Sequence, residues 1–362
     1  MAGPTRVAVV AASLDRLGGQ GIQAETLIDR LRSEGIEAEL LPIDPRFPRG
    51  LRWVRRLPYA RTVLNQALYL PSLWSLRRAD VVAVFSASYG SFLLAPAPAL
   101  AAARLLKKRV LLSYHSGEAD GHLRRDGAWV RRWLSLADAV LVPSEFLRQV
   151  FGRHGIRVQV VPNVVDLSRF RFRSRQPLRP ALLCTRNLEA IYGVDVVIEA
   201  FHRVRRRHPE ATLTLAGTGR EERRLRALVT GTAGAVRFEG RVPPEKMPAI
   251  YDRSDLFLNA SVVDNQPVSI LEAFAAGLPV ISTPPGDVPA MLRHGGTGWI
   301  VPPGDPQAMA EAALALLGDP LRAAALAREA RAHVERHSWS RVAPLWRRML
   351  SGDEEMSPCT AR

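Results

Sequence analysis

At 362 residues with 47% hydrophobic side chains, the chain is long enough for two domains of ordinary size, each with its own core. Its two cysteines, Cys184 and Cys359, lie far apart, which argues against a disulfide framework or a thiolate metal site and fits a reducing, cytosolic compartment. The net charge of +15 is concentrated early, with 23 Lys+Arg against 13 Asp+Glu in residues 1–165, but no nucleic-acid motif accompanies it, so nucleic acid is not an expected partner.

In chain order, MAGPTRVAVVAAS opens with an apolar run too short for a signal peptide, and Val7–Ala11 reads as a buried first strand. The loop SLDRLGGQG follows, with Gly18 and Gly19 before a helix, where backbone N–H groups can approach a phosphate. It matches neither G-x-G-x-x-G nor G-x-x-x-x-G-K-[ST], and as a lone signal it is weak, because glycine turns also serve simple strand-to-helix connection. A second strand is expected at Glu37–Leu41. Residues 46–78 then carry eight arginines and no acid, interleaved with Phe47, Trp53, Tyr59, Tyr69 and Trp74. Two readings stand side by side: a peripheral contact with an anionic membrane at its cytoplasmic face, or a solvated basic face. Residues 81–103 are uncharged and long enough to span a bilayer, but Ser86, Ser88, Gly90, Pro96 and Pro98 interrupt them. A strand at 81–85, a loop and a buried helix explain the same residues.

Further strands are expected at Val110–Tyr114, Ala139–Pro143 and Gln159–Val161. The basic, proline-bearing stretch 166–180 reads as a linker. A second series follows: Ala181–Thr185, Thr212–Gly217, Val236–Glu239, Leu256–Asn259 and Pro279–Ser282, separated by helices such as Asp195–Arg207 and Glu221–Leu228. Short apolar strands alternating with amphipathic helices mean parallel sheets. Two such series predict an α/β protein of two doubly wound, Rossmann-like domains, residues 1–165 and 181–339, facing each other across a cleft. Residues 351–362 read as a flexible tail.

In such folds ligands sit at the carboxyl ends of strands. LAGTGREERRL places Gly217 and Gly219 in one such loop, as a phosphate approach or as a structural turn. The stretch SVVDNQPVSILEAFAAGLPV is more pointed. Pro267 suits a first helical turn and Gly277 a left-handed residue ending the helix, so a helix is expected over about 267–276. Asp264 lies just before it. Glu272, the lone carboxylate within it, shares a face with Val268 and Ser269. Amides of Val268 and Ser269 are offered to an anion, and paired carboxylate oxygens suit the vicinal hydroxyls of a ribose or hexose. The bland alternative is that Glu272 pairs with a surface arginine.

These pieces together resemble a family-4 glycosyltransferase of the GT-B type. Asp264-x7-Glu272 followed by EAFAAGLPVIST is similar to that family's Glu-x7-Glu motif, and the likeness extends through YHSGE, SEFLRQVFGRHGI, VVPNVVDLSRF, CTRNLEAIYGVDVVIEAF, LAGTGRE, FEGRVPPEKMPAIYDRSDLFLNAS and HGGTGWIVPPGD. The resemblance implies a retaining, metal-independent transfer from a nucleotide-diphosphate sugar, with no further cofactor, to a glycan or lipid-linked acceptor in cell-surface polysaccharide or glycolipid synthesis. It further implies that Glu272 holds the donor ribose and Asp264 the sugar hydroxyls. Arg186 would neutralise the diphosphate with help from Val268, Ser269, Gly18 and Gly19. Gly217, Gly219 and Arg241 would line the donor site, and His115 would touch the sugar. The last helix, residues 340–350, would cross back onto the first domain. Two positions depart from the family. The first glutamate is Asp264, and Tyr192 in IYGVD stands where the family places a lysine. That second departure opens a further reading, a non-catalytic nucleotide-sugar or partner-binding protein.

Overall fold

The computed structural model describes residues 5–13, 18–232 and 234–352. The chain forms two compact units, one running to Val164 and resuming at Ala343, the other spanning Val165–Val342. The flexibility expected of the tail falls almost wholly on residues 353–362, outside the described part.

The first unit is a six-stranded parallel sheet made of β1 (Arg6–Ala11), β2 (Glu37–Pro42), β3 (Val81–Ser86), β4 (Arg109–Tyr114), β5 (Ala139–Val142) and β6 (Gln159–Val160), in the order β2-β1-β3-β4-β5-β6. Strands β3 and β5 are buried along their whole length, as parallel strands covered on both faces must be. The uncharged run after residue 80 resolves into β3 and two helices, Tyr89–Leu94 and Pro96–Leu105. No helix among the described residues is long and apolar enough to cross a membrane. The last helix runs Trp339–Ser351. Its later half belongs to the first unit, where Arg347 grips Glu34 through two hydrogen bonds and Arg109 donates to the Met349 carbonyl at 3.0 Å.

The second unit repeats the plan with β7 (Ala181–Cys184), β8 (Thr212–Ala216), β9 (Val236–Gly240), β10 (Leu256–Asn259), β11 (Val280–Ser282) and β12 (Trp299–Ile300), all parallel, in the order β12-β11-β10-β7-β8-β9. Two residues long, β12 carries no periodicity that sequence reasoning could detect. The order reverses between β7 and β10, which makes the loops leaving those two strands the expected ligand position of this unit.

Residues 166–180 are a correction to the expected linker, because they pack as part of the second unit. Phe170 and Leu178 are buried in its core. Arg173 and Arg179 donate to the carboxylate of Asp255, which is wholly buried at the head of β10. Arg175, itself buried, donates to the carbonyls of Arg173, Tyr251, Ser254, Ala276 and Gly277. Two of those carbonyls close the helix Val268–Ala276, where its dipole favours a cation. Burial draws the Arg175 guanidinium down to about 10, the nearby Arg173 adding to the effect and Asp255 opposing it. It is fully charged at neutral pH.

Replacing Arg175 with Met leaves those carbonyls without this donor and removes one of the positive charges around Asp255, 3.6 Å away. The second unit should lose about 3–5 kcal/mol, read as a lower urea midpoint. Arg175→Lys should recover little, since an ammonium cannot reproduce the planar fork.

Candidate active site

Strand β7 is apolar and buried through Cys184, and its carboxyl end delivers Thr185 and Arg186 to the point where the strand order reverses. Beside it, β10 ends at Asn259 and the chain turns through Asp264 into the helix Val268–Ala276. The helix has the predicted boundaries: Pro267 sits immediately before it and Gly277 after it at φ 76°. The Ile270 amide donates to the Pro267 carbonyl at 3.1 Å, while the amides of Val268 and Ser269 have no acceptor among the described residues.

Arg186 gathers this region. One terminal nitrogen pairs with the Asp264 carboxylate, and the other donates to Ser269 Oγ at 3.1 Å. Tyr192 lies beneath it, with the guanidinium carbon 4.3 Å from the ring centroid, while Nε is buried without a hydrogen-bond partner among the described residues. Burial acts to lower the guanidinium's pKa, but Asp264 first and Tyr192 second outweigh it and hold the charge more firmly than usual. Asp264 accepts from the Asn265 amide with its other oxygen, at 2.9 Å.

Glu272 stands one turn deeper, recessed but not sealed from solvent. Tyr251 donates to one of its oxygens at 2.8 Å, and no donor among the described residues reaches the second. The pairing with a surface arginine that Glu272 could have made is therefore not found. Tyr251 is buried and also meets Thr185 Oγ1 at 2.9 Å. Desolvation raises Glu272 to about 7, against the Tyr251 hydrogen bond and the charge of Arg169, so near neutral pH it exchanges a proton readily. Neither Tyr251 nor Thr185 stood out in the sequence. Tyr251 sits in an ordinary core position of its helix and Thr185 half-buried just past β7, and they acquire a role only once β7, β10 and the helix Met247–Arg253 meet.

The glycines Gly217 and Gly219 serve close backbone approach. A Cβ at Gly217 would lie 2.2 Å from the Arg186 carbonyl, and one at Gly219 2.1 Å from that of Leu188. Hydrogen bonds from Leu188 to Thr218 and from Glu221 to Leu188 stitch the two loops together. Gly286, at φ 58°, does the same against the Asp264 carbonyl, and it was missed in the sequence because it belongs to no motif. Arg241 is exposed just beyond β9.

His115, Gly18 and Gly19 belong to the first unit. His115 follows β4, stacks on Phe85 with centroids 5.0 Å apart and shares a 2.8 Å hydrogen bond between Nε2 and Ser113 Oγ. Burial pushes the imidazole down to about 4, so it is neutral at physiological pH. Gly18 directly precedes the helix Gly19–Ser33, and a Cβ at either glycine would meet nothing within 4 Å. Among the described residues, no close contact demands glycine there. Part of that loop, residues 14–17, lies outside the described residues. Among the described residues, no group of three or more His, Cys, Asp or Glu side chains could hold a metal ion.

Because Glu272 binds its proton more tightly in the folded state than in the unfolded one, it should cost stability progressively as pH rises from about 4.5 to about 7. Urea unfolding of Glu272→Gln across this range should lack that decline, giving a variant more stable than the parent by on the order of 2–3 kcal/mol at pH 8.

Two family models match the chain. One, described as Glycosyltransferase Family 4, covers residues 17–169, and the other, Glycosyl transferases group 1, covers residues 179–319. The GDP-mannose-dependent alpha-(1-6)-phosphatidylinositol monomannoside mannosyltransferase of Mycobacterium tuberculosis is 31% identical over 294 residues, spanning 75% of each protein. The glycogen synthase of the same organism is 33% identical over 226 residues, and the chain spans only about half, 55%, of its length. In fold, the chain is similar to Thermosynechococcus elongatus sucrose-phosphate synthase (TM-score 0.75, 18% identity, 96% of this chain and 100% of that one) and to Anabaena HepE in complex with UDP and glucose (TM-score 0.72, 18% identity, 96% and 99%). With two doubly wound units of the GT-B kind, matching models for both halves and a relative aligned over three quarters of its length, the chain belongs to the family-4, group 1 glycosyltransferases.

Proposed function

We propose that the protein transfers a sugar, with retention and without a metal or further cofactor, from a nucleotide-diphosphate sugar to a glycan or lipid-linked acceptor hydroxyl in cell-surface polysaccharide or glycolipid synthesis. The observation that carries this reading is the convergence of Arg186, Ser269 and Asp264 at the point where strand order reverses, beside a helix whose Val268 and Ser269 amides have no acceptor among the described residues. A complex of HepE with UDP and glucose, and mannosyltransferases named for GDP-mannose and a phosphatidylinositol mannoside, support the class of donor and of acceptor.

The chemistry follows from charge. As the anomeric C–O bond to the diphosphate breaks, negative charge grows on the departing phosphate. A positioned guanidinium and helix amides stabilise that charge more than they stabilise the ground state. Arg186 has the Asp264 carboxylate as its counter-charge, and a diphosphate would offer it a second one. Asp264 is then free to accept from hydroxyls of the transferred sugar. Glu272, with one oxygen fixed by Tyr251 and the other unengaged, suits a ribose hydroxyl. Val268 and Ser269 contribute amides, Gly217 and Gly219 hold the adjoining loop, and Arg241 extends the donor side. Gly18 and Gly19 would assist at the diphosphate, and neutral His115 can donate to or accept from the sugar without competing for the phosphate's charge.

The alternative, a non-catalytic binding protein, draws on Tyr192, which removes the cation the family places there. The cation–π contact gives the residue a different use: it backs Arg186 and keeps it aimed. Tyr192→Phe should therefore retain nucleoside diphosphate affinity, while Tyr192→Leu should weaken it roughly three- to tenfold in calorimetric titration.

Thermal-shift screening against UDP, GDP, ADP and their sugars should give a raised midpoint with one nucleotide series, absent in Glu272→Ala and Arg186→Ala. Transfer of labelled sugar to a lipid-linked or glycan acceptor should accompany it. Nucleotide binding without turnover would favour the non-catalytic reading, and a folded sample that no nucleotide shifts would overturn the donor site itself.

A further inference from the structure

The segment from Arg49 to Arg78 is helical almost throughout: 3-10 turns over Arg49–Arg56, an α-helix over Pro58–Ser72 and further 3-10 turns over Leu73–Arg78. One stripe faces inward. Tyr69, Leu73 and Leu76 are buried in the first unit's core, with the Tyr69 hydroxyl donating to the Ala95 carbonyl at 2.8 Å. A helix at the surface of a domain ordinarily presents polar residues opposite such a stripe. This one does not. Ala60, Val63, Ala67, Leu70 and Trp74 recur at spacings of three and four along the outside, all exposed, Val63 at 70% and Trp74 at 62%. Tyr59 beside the stripe is 90% exposed, and Trp53 in the preceding turns 61%.

The polar groups around this apolar face are of one sign. Arg49, Arg52, Arg56, Arg61 and Arg78 are exposed and make no ion pair among the described residues, and no acidic residue occurs between Arg46 and Arg78. Arg77 lies over the Trp74 ring at 5.3 Å. An apolar stripe with tryptophan and tyrosine at its ends, bordered by unpaired arginines, matches a surface that is apolar below and anionic above. A second copy of the chain matches it poorly, because self-pairing would set one unpaired arginine array against another.

We propose that the outer face of residues 49–78 docks on an anionic lipid bilayer, with Trp53, Val63, Leu70 and Trp74 entering the interface and the arginines meeting lipid phosphates. This stands independently of the transfer reading, since it needs neither Arg186 nor Glu272. It accounts for a basic array that the site in the second unit does not use.

The test is co-sedimentation of the full chain with vesicles of phosphatidylcholine alone and of phosphatidylcholine with phosphatidylglycerol. The parent protein should pellet with the anionic vesicles and much less with the neutral ones, and added salt should release it. Arg49→Gln/Arg52→Gln/Arg56→Gln should weaken anionic-vesicle binding roughly a hundredfold. Trp53→Ser/Trp74→Ser should weaken it roughly tenfold and abolish the excess tryptophan quenching by brominated lipid. All five side chains are exposed, so circular dichroism and urea midpoints should match the parent. Failure of the parent to bind anionic vesicles overturns the proposal, as does binding that both variants retain. A concentration-dependent dimer in light scattering that Trp53→Ser/Trp74→Ser disperses, without vesicle binding by the parent, would assign the face to a second copy instead.

Discussion

The second unit is organised around one buried charge system, Asp255 with Arg173, Arg175 and Arg179. A carboxylate at the head of a buried strand is costly unless donors surround it, and a buried guanidinium is costly unless carbonyls do. Here each answers the other. Because the Arg175 donors end on Ala276 and Gly277, the same arrangement fixes the far end of the helix that carries Ser269 and Glu272. The near end is fixed by Arg186 on Asp264 and Ser269. The helix is thus pinned at both termini by guanidinium groups while its middle is held by ordinary apolar packing, and the position of the reacting groups follows from those two anchors.

Much of this was legible beforehand, because the responsible signals are local. Strand alternation located eleven of the twelve strands to within a residue or so, since buried parallel strands are short apolar runs with sharp ends. Pro267 and Gly277 bounded the key helix by backbone stereochemistry alone, and the lone Glu272 marked its polar face. The parts that escaped depend on contacts between distant segments. Tyr251 reads as a core aromatic until the helix holding it packs under Glu272. Residues 166–180 read as a linker because arginine and proline are abundant there, whereas the carboxylate that fixes them, Asp255, lies more than 75 residues further on. The strand β12 is too short to show a period at all.

Tyr192 illustrates how one substitution is reinterpreted by geometry. By charge alone, it removes a cation from the proposed donor site. In three dimensions its ring supports Arg186, whose Nε has no hydrogen-bond partner among the described residues and whose fork is shared between Asp264 and Ser269. A point charge has been exchanged for an oriented one. An aromatic face is a weaker partner for a phosphate than an ammonium group, but a better one for a guanidinium.

The glycines at 217, 219 and 286 have a broader consequence. They carry no side chain, yet each lets one loop of the candidate site rest directly on the peptide backbone of another. The chemically expressive residues, Arg186 and Asp264, therefore sit on loops braced by positions with no side chain at all. Change at this site is constrained most where there is least chemistry. A carboxylate can be shortened or a lysine exchanged for a tyrosine, as this chain itself displays, while the bare backbone beneath has no room for even a methyl group. The diversity of sugars such a scaffold can come to handle is then a property of its side chains, and its durability a property of their absence.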